Sequence, residues 1–320
     1  MNGERSSRGG GVGLALLSAL GFSTLGIFAA SLYGAGFSVP QTLAWRFTIA
    51  SAFLWSAIAG RRVLGRGSTR ARMAGGASGA AAGAATWTAD RRRRLIHLLL
   101  LALFGFTPQA GLFFLTVKLL APGITSMLLY LYPAFVLLLA AIFMRKRPTR
   151  GQLIALILSF LGCIVTFFAP GDYPLGGLLL GVFVAVSYSA YLVAGEKILA
   201  GYDPIFSTAV IMTVACAVYW AIVAVSGIPV RAPETFIEWG GVVCIALVAT
   251  VLPITTLFSA IKRLGAADVS LVSTIEPVCT VLLSAALLGE RLTPNRIAGG
   301  LLIVGGVVAL QRLGRKDPRG

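Results

Sequence analysis

The sequence predicts an all-α membrane protein, ten transmembrane helices arranged as two inverted five-helix repeats. Three observations predict this. Of the 320 residues, 57% are hydrophobic and 12% charged, where a soluble domain carries about 25% charged residues, and the mean hydropathy is +0.88. The apolar residues gather into ten runs, each near the ~20 residues that a helix needs to cross a hydrocarbon core. Residues 114–162 match residues 258–306 without a gap, at an offset of 144.

The runs, numbered here as spans 1 to 10, are 11–33, 39–60, 95–117, 121–144, 151–169, 175–195, 205–225, 239–261, 269–288 and 296–313. They are too long and too uniformly apolar for the alternating strands of a barrel, so helix is the expected state. Several starts carry capping chemistry. Thr149 and Gln152 have the spacing of a capping box. Asp203-Pro204 and Thr293-Pro294 place a capping side chain before a proline at the first helical position. Span 1 lacks a convincing cleavage boundary and reads as a retained helix rather than a signal peptide.

Charge sets the topology. With Lys and Arg counted on alternate sides, one side holds 22 and the other only Lys118, Arg231, Arg291 and Arg296. The heavy side should be cytoplasmic, which puts both termini inside a multi-pass protein of the inner (plasma) membrane. The loop at 61–94 dominates the heavy side and carries a low-complexity Ala/Gly/Ser insert at 73–88. It reads as a flexible insert with topogenic arginines, or as a contact for anionic lipid. The net charge of +16 lies in short segments between apolar runs, without a nucleic-acid motif, so no nucleic-acid partner is expected. The bilayer itself is the expected partner.

Cys163, Cys216, Cys244 and Cys279 each lie inside an apolar run, with neither zinc-site nor disulfide spacing. His97 is the one histidine and follows Arg91–Arg94. No catalytic residue, metal site or cofactor is expected from this inventory.

The repeat is anchored by Phe114 with Phe258, Ser126 with Ser270, Pro133 with Pro277, and Thr149 with Thr293. Weaker matches pair Ala44, Thr48, Ala50 and Trp55 with Ala209, Thr213, Ala215 and Trp220. The chain thus reads as two units, 12–169 with spans 1–5 and 175–313 with spans 6–10. Five spans per unit is odd, so the copies must insert with opposite orientation. Inverted repeats recur in secondary transporters, whose substrate sites lie near the midplane between repeats.

The stretches LLYLYPAFVLLLAAIFMRKRPT at 128–149, TIEPVCTVLLSAALLGERLT at 274–293 and AWRFTIA at 44–50 resemble the drug/metabolite transporter superfamily, and in particular its EamA group. The first copy departs from pattern with Arg145-Lys146 where the second has Gly289-Glu290. The resemblance implies ten helices, no cofactor and, often, export of amino acids or related metabolites. Uptake or facilitated diffusion by the same fold, an intramembrane lipid enzyme, and a non-transporting scaffold or sensor are the alternatives. The lipid enzyme would need a nucleophile or metal constellation at membrane depth, which the sequence lacks.

Candidate substrate-binding or coupling residues follow from depth. Pro133 and Pro277 each free a backbone carbonyl inside a span, as a hinge, a pocket wall or a static kink. Glu276 lies about two turns into span 9, where charge is costly and should face the bundle interior. Proton coupling, a substrate amine or a structural pair with Lys262 would each explain it. Arg46, two turns into span 2, suits a substrate carboxylate, helix packing or snorkelling. Gln109, Tyr130, Tyr132, Tyr188 and Tyr191 are polar or aromatic groups within spans, placed for a small-molecule ligand or for packing. Gly299, Gly300, Gly305 and Gly306 on span 10 permit close helix approach, within the chain or in a homodimer.

Overall fold

Each predicted span is mainly helical over its described residues in the computed structural model. The structure describes residues 2–69, 84–144, 150–167, 173–199, 202–264, 269, 272–273 and 275–313. Among these there is no strand. Six helices there are long and apolar enough to cross a membrane, those of spans 1, 2, 3, 6, 7 and 8. Span 9 contains a shorter apolar helix, Ile275–Leu288, and span 4 is broken in two. The 73–83 part of the low-complexity insert and the Thr149 capping position lie outside the described residues. The flanks of that loop are not loop, because Val39–Thr69 and Ala84–Leu100 are continuous helices. Arginine in both flanks and alanine in the second are good helix formers.

Two of the expected caps are made. Asp203 accepts from the backbone N–H groups of Ile205 and Phe206, both at 3.0 Å. Thr293 Oγ1 accepts from the Arg296 N–H at 3.4 Å, which starts Pro294–Leu313.

The spans that carry the interior are interrupted, and each interruption has a local cause. Span 1 breaks at Thr24, whose hydroxyl donates back to the Gly21 carbonyl at 2.7 Å, a contact that bends helices. Span 3 widens into a π segment at Leu101–Phe106, ahead of Pro108. Span 8 does the same at Leu247–Val251, ahead of Pro253. Proline removes one N–H and crowds the preceding turn, and the wider π turn accommodates it. Span 4 is two helices, Pro122–Leu129 and Tyr132–Met144, so Pro133 sits in the first turn of the second, where its missing N–H costs nothing.

Packing partners recur across the halves. Span 1 packs on spans 8 and 9, and span 6 on spans 3 and 4. Span 2 packs on span 7, span 4 on span 9, and span 5 on span 10. In the 2–7 pair the contacts are reciprocal. Trp220 Nε1 donates to Thr48 Oγ1 at 2.8 Å, and Trp55 Nε1 donates to Thr213 Oγ1 at 2.9 Å. These are the residues that the sequence repeat pairs. Residue i touching j′ while i′ touches j is what a two-fold relation produces. Large apolar side chains such as Phe104 and Leu301 stay exposed, as a lipid-facing surface requires.

Helix association in lipid depends on close packing rather than on water exclusion. The 5–10 seam is one such case, where a Cβ on Gly162 would lie 2.6 Å from the Gly299 carbonyl oxygen. On the same span 10, a Cβ on Gly300 would lie 2.9 Å from the methyl carbon of Met127 in span 4. Gly299 and Gly300 are therefore engaged within the chain, whereas Gly305 faces open space. Gly162→Ala should lower the unfolding midpoint in detergent, at a cost of about 1–3 kcal/mol from overpacking. Gly305→Ala should leave it within about 0.5 kcal/mol. Equal midpoints for the two variants would contradict this seam.

Candidate functional site

A cavity of about 980 Å³ lies between the two halves. Seven of the candidates named from the sequence line it, Arg46 and Gln109 on spans 2 and 3, Tyr130 and Tyr132 at the break of span 4, Tyr188 and Tyr191 on span 6, and Glu276 on span 9. Pro277 is buried and is not part of the lining. Pro133's side chain lies outside the described residues, as does that of Lys262.

Arg46 is 4% exposed. Its Nε donates to Thr250 Oγ1 at 2.8 Å, and Thr250 in turn donates to the Ile245 carbonyl at 2.7 Å, inside the turn that the π segment of span 8 widens. The guanidinium carbon lies 5.0 Å from the Phe114 ring centroid, a cation–π distance. Tyr33 and Tyr219 flank this region, their hydroxyls donating to the Phe114 and Thr107 carbonyls at 3.0 and 2.8 Å. The Tyr219 hydroxyl presses so closely on Gly111 that a Cβ there would overlap it. Among the described residues no carboxylate pairs with Arg46, and the ion pair present is Arg231 with Glu238.

Glu276 sits across the cavity in the first turn of Ile275–Leu288. Pro277 has no N–H, which leaves the carbonyl four residues back, that of Ser273, without its helical donor. The Tyr130 hydroxyl takes that place at 2.6 Å and lies 3.0 Å from Glu276 Oε2. A phenol has one proton. The hydroxyl is within donating distance of both acceptors and can serve one of them at a time. Among the described residues no cation pairs with Glu276.

From Tyr130 an aromatic chain crosses the cavity wall. Tyr130 and Tyr132 are 5.8 Å apart, Tyr132 and Tyr188 5.0 Å, Tyr188 and Tyr191 6.2 Å, and Tyr191 and Phe106 5.9 Å, centroid to centroid. Such pairs hold a rigid apolar wall with polar tips. The cavity reaches Leu199, Tyr202 and the exposed Asp203 in the link between spans 6 and 7. The chemistry on offer is recognition: one fixed cation, one carboxyl that can hold a proton, and an aromatic wall between them.

The sequence reading missed Thr250, Ser273 and Thr280. Thr280 lies four residues after Glu276, on the same helix face, and donates to the Glu276 carbonyl at 3.0 Å, so spacing alone marks it. Thr250 and Ser273 carry no such signal, because they matter through a π turn and a freed carbonyl.

The EamA-like transporter family model matches residues 9–168 and again residues 175–311. An uncharacterized transporter of Archaeoglobus fulgidus is 26% identical over 193 residues, 60% of this chain and 69% of that protein. The uncharacterized transporter YyaM of Bacillus subtilis is 23% identical over 299 residues, 90% of each chain. A protein of known crystal structure superposes with a TM-score of 0.60 at 22% identity, over 96% of this chain and 98% of its own. That likeness bears on the fold alone.

A buried charge without a partner costs stability, and replacing it with a neutral group of similar shape is neutral or stabilising. Arg46→Met and Glu276→Gln should therefore keep or raise the unfolding midpoint in detergent. A loss of about 3–5 kcal/mol in either would mark a buried structural ion pair instead.

Proposed function

The chain belongs to the EamA-like transporter family, and from that premise we propose that it is a secondary transporter exporting a small metabolite, an amino acid or related compound, across the inner membrane. The relatives' names likewise point to a transporter rather than an enzyme. The observation that carries the reading is the shared cavity, to which one half contributes Arg46 and the other Glu276, each without a charged partner among the described residues. Charges at membrane depth are retained where they serve a substrate or ion path.

On this reading the units 12–169 and 175–313 are inverted repeats that rock about the cavity, giving alternating access. The reach of the cavity to Tyr202 and Asp203, on the side rich in Lys and Arg, supports a cytoplasm-facing state with both termini inside. Arg46 takes an anionic group of the cargo in its planar fork. Glu276 carries the coupling proton. When it is ionised, Tyr130 must choose between the Ser273 carbonyl and the carboxylate, so the contact between spans 4 and 9 depends on proton occupancy. No cofactor enters the cycle, and no ATP-binding motif is present in the sequence to drive it.

Comparing the metabolites of cells lacking and overproducing the protein identifies the cargo. In proteoliposomes loaded with it, Glu276→Gln should abolish stimulation by a pH gradient while leaving cargo counterflow. Gradient-driven transport unchanged in this variant would eliminate proton coupling through Glu276. Tyr130→Phe should keep counterflow and weaken the gradient response. Arg46→Lys keeps the charge and loses the fork, and should raise the apparent KM about tenfold, the size of one lost bidentate contact. Counterflow that never responds to a proton gradient, even in the unaltered protein, favours facilitated diffusion.

A further inference from the structure

We propose that Arg231 is the hub of an extracytoplasmic clasp that closes the cavity on the side opposite Asp203 and opens once per transport cycle. This rests on the alternating-access reading above. The clasp joins the link between spans 7 and 8, in the second half, to the link between spans 1 and 2 and the start of span 2, in the first. Arg231's guanidinium donates to Glu238 at 2.6 Å and to the Ala35 carbonyl, and lies 4.9 Å over the Phe37 ring. Its own carbonyl accepts from Trp45 Nε1 at 3.0 Å. Beside it, the Gln41 side-chain amide donates to the Pro229 carbonyl. Glu238 is fixed in turn by the Glu234 N–H at 2.8 Å. One residue thus holds the other half by its side chain and by its backbone.

Two features set this cluster apart from ordinary packing. First, it is breakable. The Arg231 side chain is 33% exposed and that of Glu238 10%, so water competes for the pair. The glycine-lined 5–10 seam has no such access. Second, it is wired to the cavity. Trp45, which holds Arg231, is the residue before Arg46, which faces the cargo space. Glu238 opens the helix of span 8, whose π segment carries the Thr250 that holds Arg46. A ligand that pulls Arg46 acts one peptide unit away from Trp45, which holds the Arg231 carbonyl. Spans 2 and 8 therefore carry both the ligand contact and the clasp.

The test uses the full-length protein with Cys163, Cys216, Cys244 and Cys279 replaced by Ser and Ile211→Cys as a reporter in the cavity wall. Labelling by a membrane-impermeant thiol reagent is followed from each face of oriented vesicles. Arg231→Ala and Glu238→Gln should raise extracytoplasmic labelling about tenfold, as a population shift does, and lower it from the cytoplasmic face. Arg231→Lys should fall between them and the parent. A monodisperse, folded variant with unchanged labelling overturns the clasp. As a second arm, independent of those variants, a bifunctional thiol reagent joins Ala35→Cys to Glu238→Cys. Flux should stop while cytoplasmic labelling of the reporter persists. If cross-linking leaves flux intact although Arg231→Ala exposes the reporter, the cluster closes the cavity but does not open in the cycle, and alternating access falls with that opening.

Discussion

A backbone carbonyl freed inside a bilayer has no water to turn to, and the architecture of the cavity follows from that constraint. A transport path needs irregular helices, yet each irregularity exposes polar backbone. Here hydroxyl side chains resolve the conflict, and the same hydroxyls then hold the charges. Thr250 gives its proton to the Ile245 carbonyl of the widened turn and its lone pair to Arg46. The Tyr130 hydroxyl stands 2.6 Å from the carbonyl that Pro277 orphans and 3.0 Å from Glu276 Oε2, within donating distance of each. Thr107 repeats the device in span 3, donating to the Ala102 carbonyl at 2.7 Å. The charged groups are thus fixed to the defects, so a shift in a broken helix moves the charge that it carries.

This coupling explains why rigid and irregular spans are segregated. Spans 5 and 10 pack through glycine contacts, and spans 2 and 7 through the reciprocal Trp–Thr bonds. Among the described residues the breaks fall in spans 1, 3, 4 and 8, three of which pack on the span that carries Glu276 or supply Thr250, which holds Arg46. Close-packed seams resist sliding because they have few low-energy alternatives. Broken spans have several backbone states within reach. Motion is therefore expected where the cavity is and not at the outer seams.

Much of this was legible in the sequence because the bilayer makes polarity informative. A polar residue at depth must face the interior, so Arg46, Glu276 and the tyrosines were identifiable without coordinates. The caps at Asp203 and Thr293 were legible as short-range chemistry, and Thr48 with Thr213 and Trp55 with Trp220 as repeat pairs. The helical extensions at 61–69 and 84–94 were not, because low complexity masks propensity. The π turns were not, because proline marks a defect without saying how the chain absorbs it. The Arg231 cluster was counted only as topology. Its partners Ala35, Trp45 and Glu238 come from three segments, and no spacing relates them.

The placement of the two charges carries a final consequence. A cation and an acid in one cavity would ordinarily be expected to pair, and a pair so formed would close the site on itself. Here each is held on its own wall, Arg46 by the π turn of span 8 and Glu276 by the break of span 4, with the aromatic chain from Tyr130 to Phe106 along the wall. Among the described residues neither group has a charged partner, and a buried charge without one costs stability. Under the proposed transport cycle, a cargo at Arg46 would contact one half and a proton on Glu276 the other. Neither demand would then be met by one half alone, and the cost of the empty cavity would become a bias on how the halves sit together.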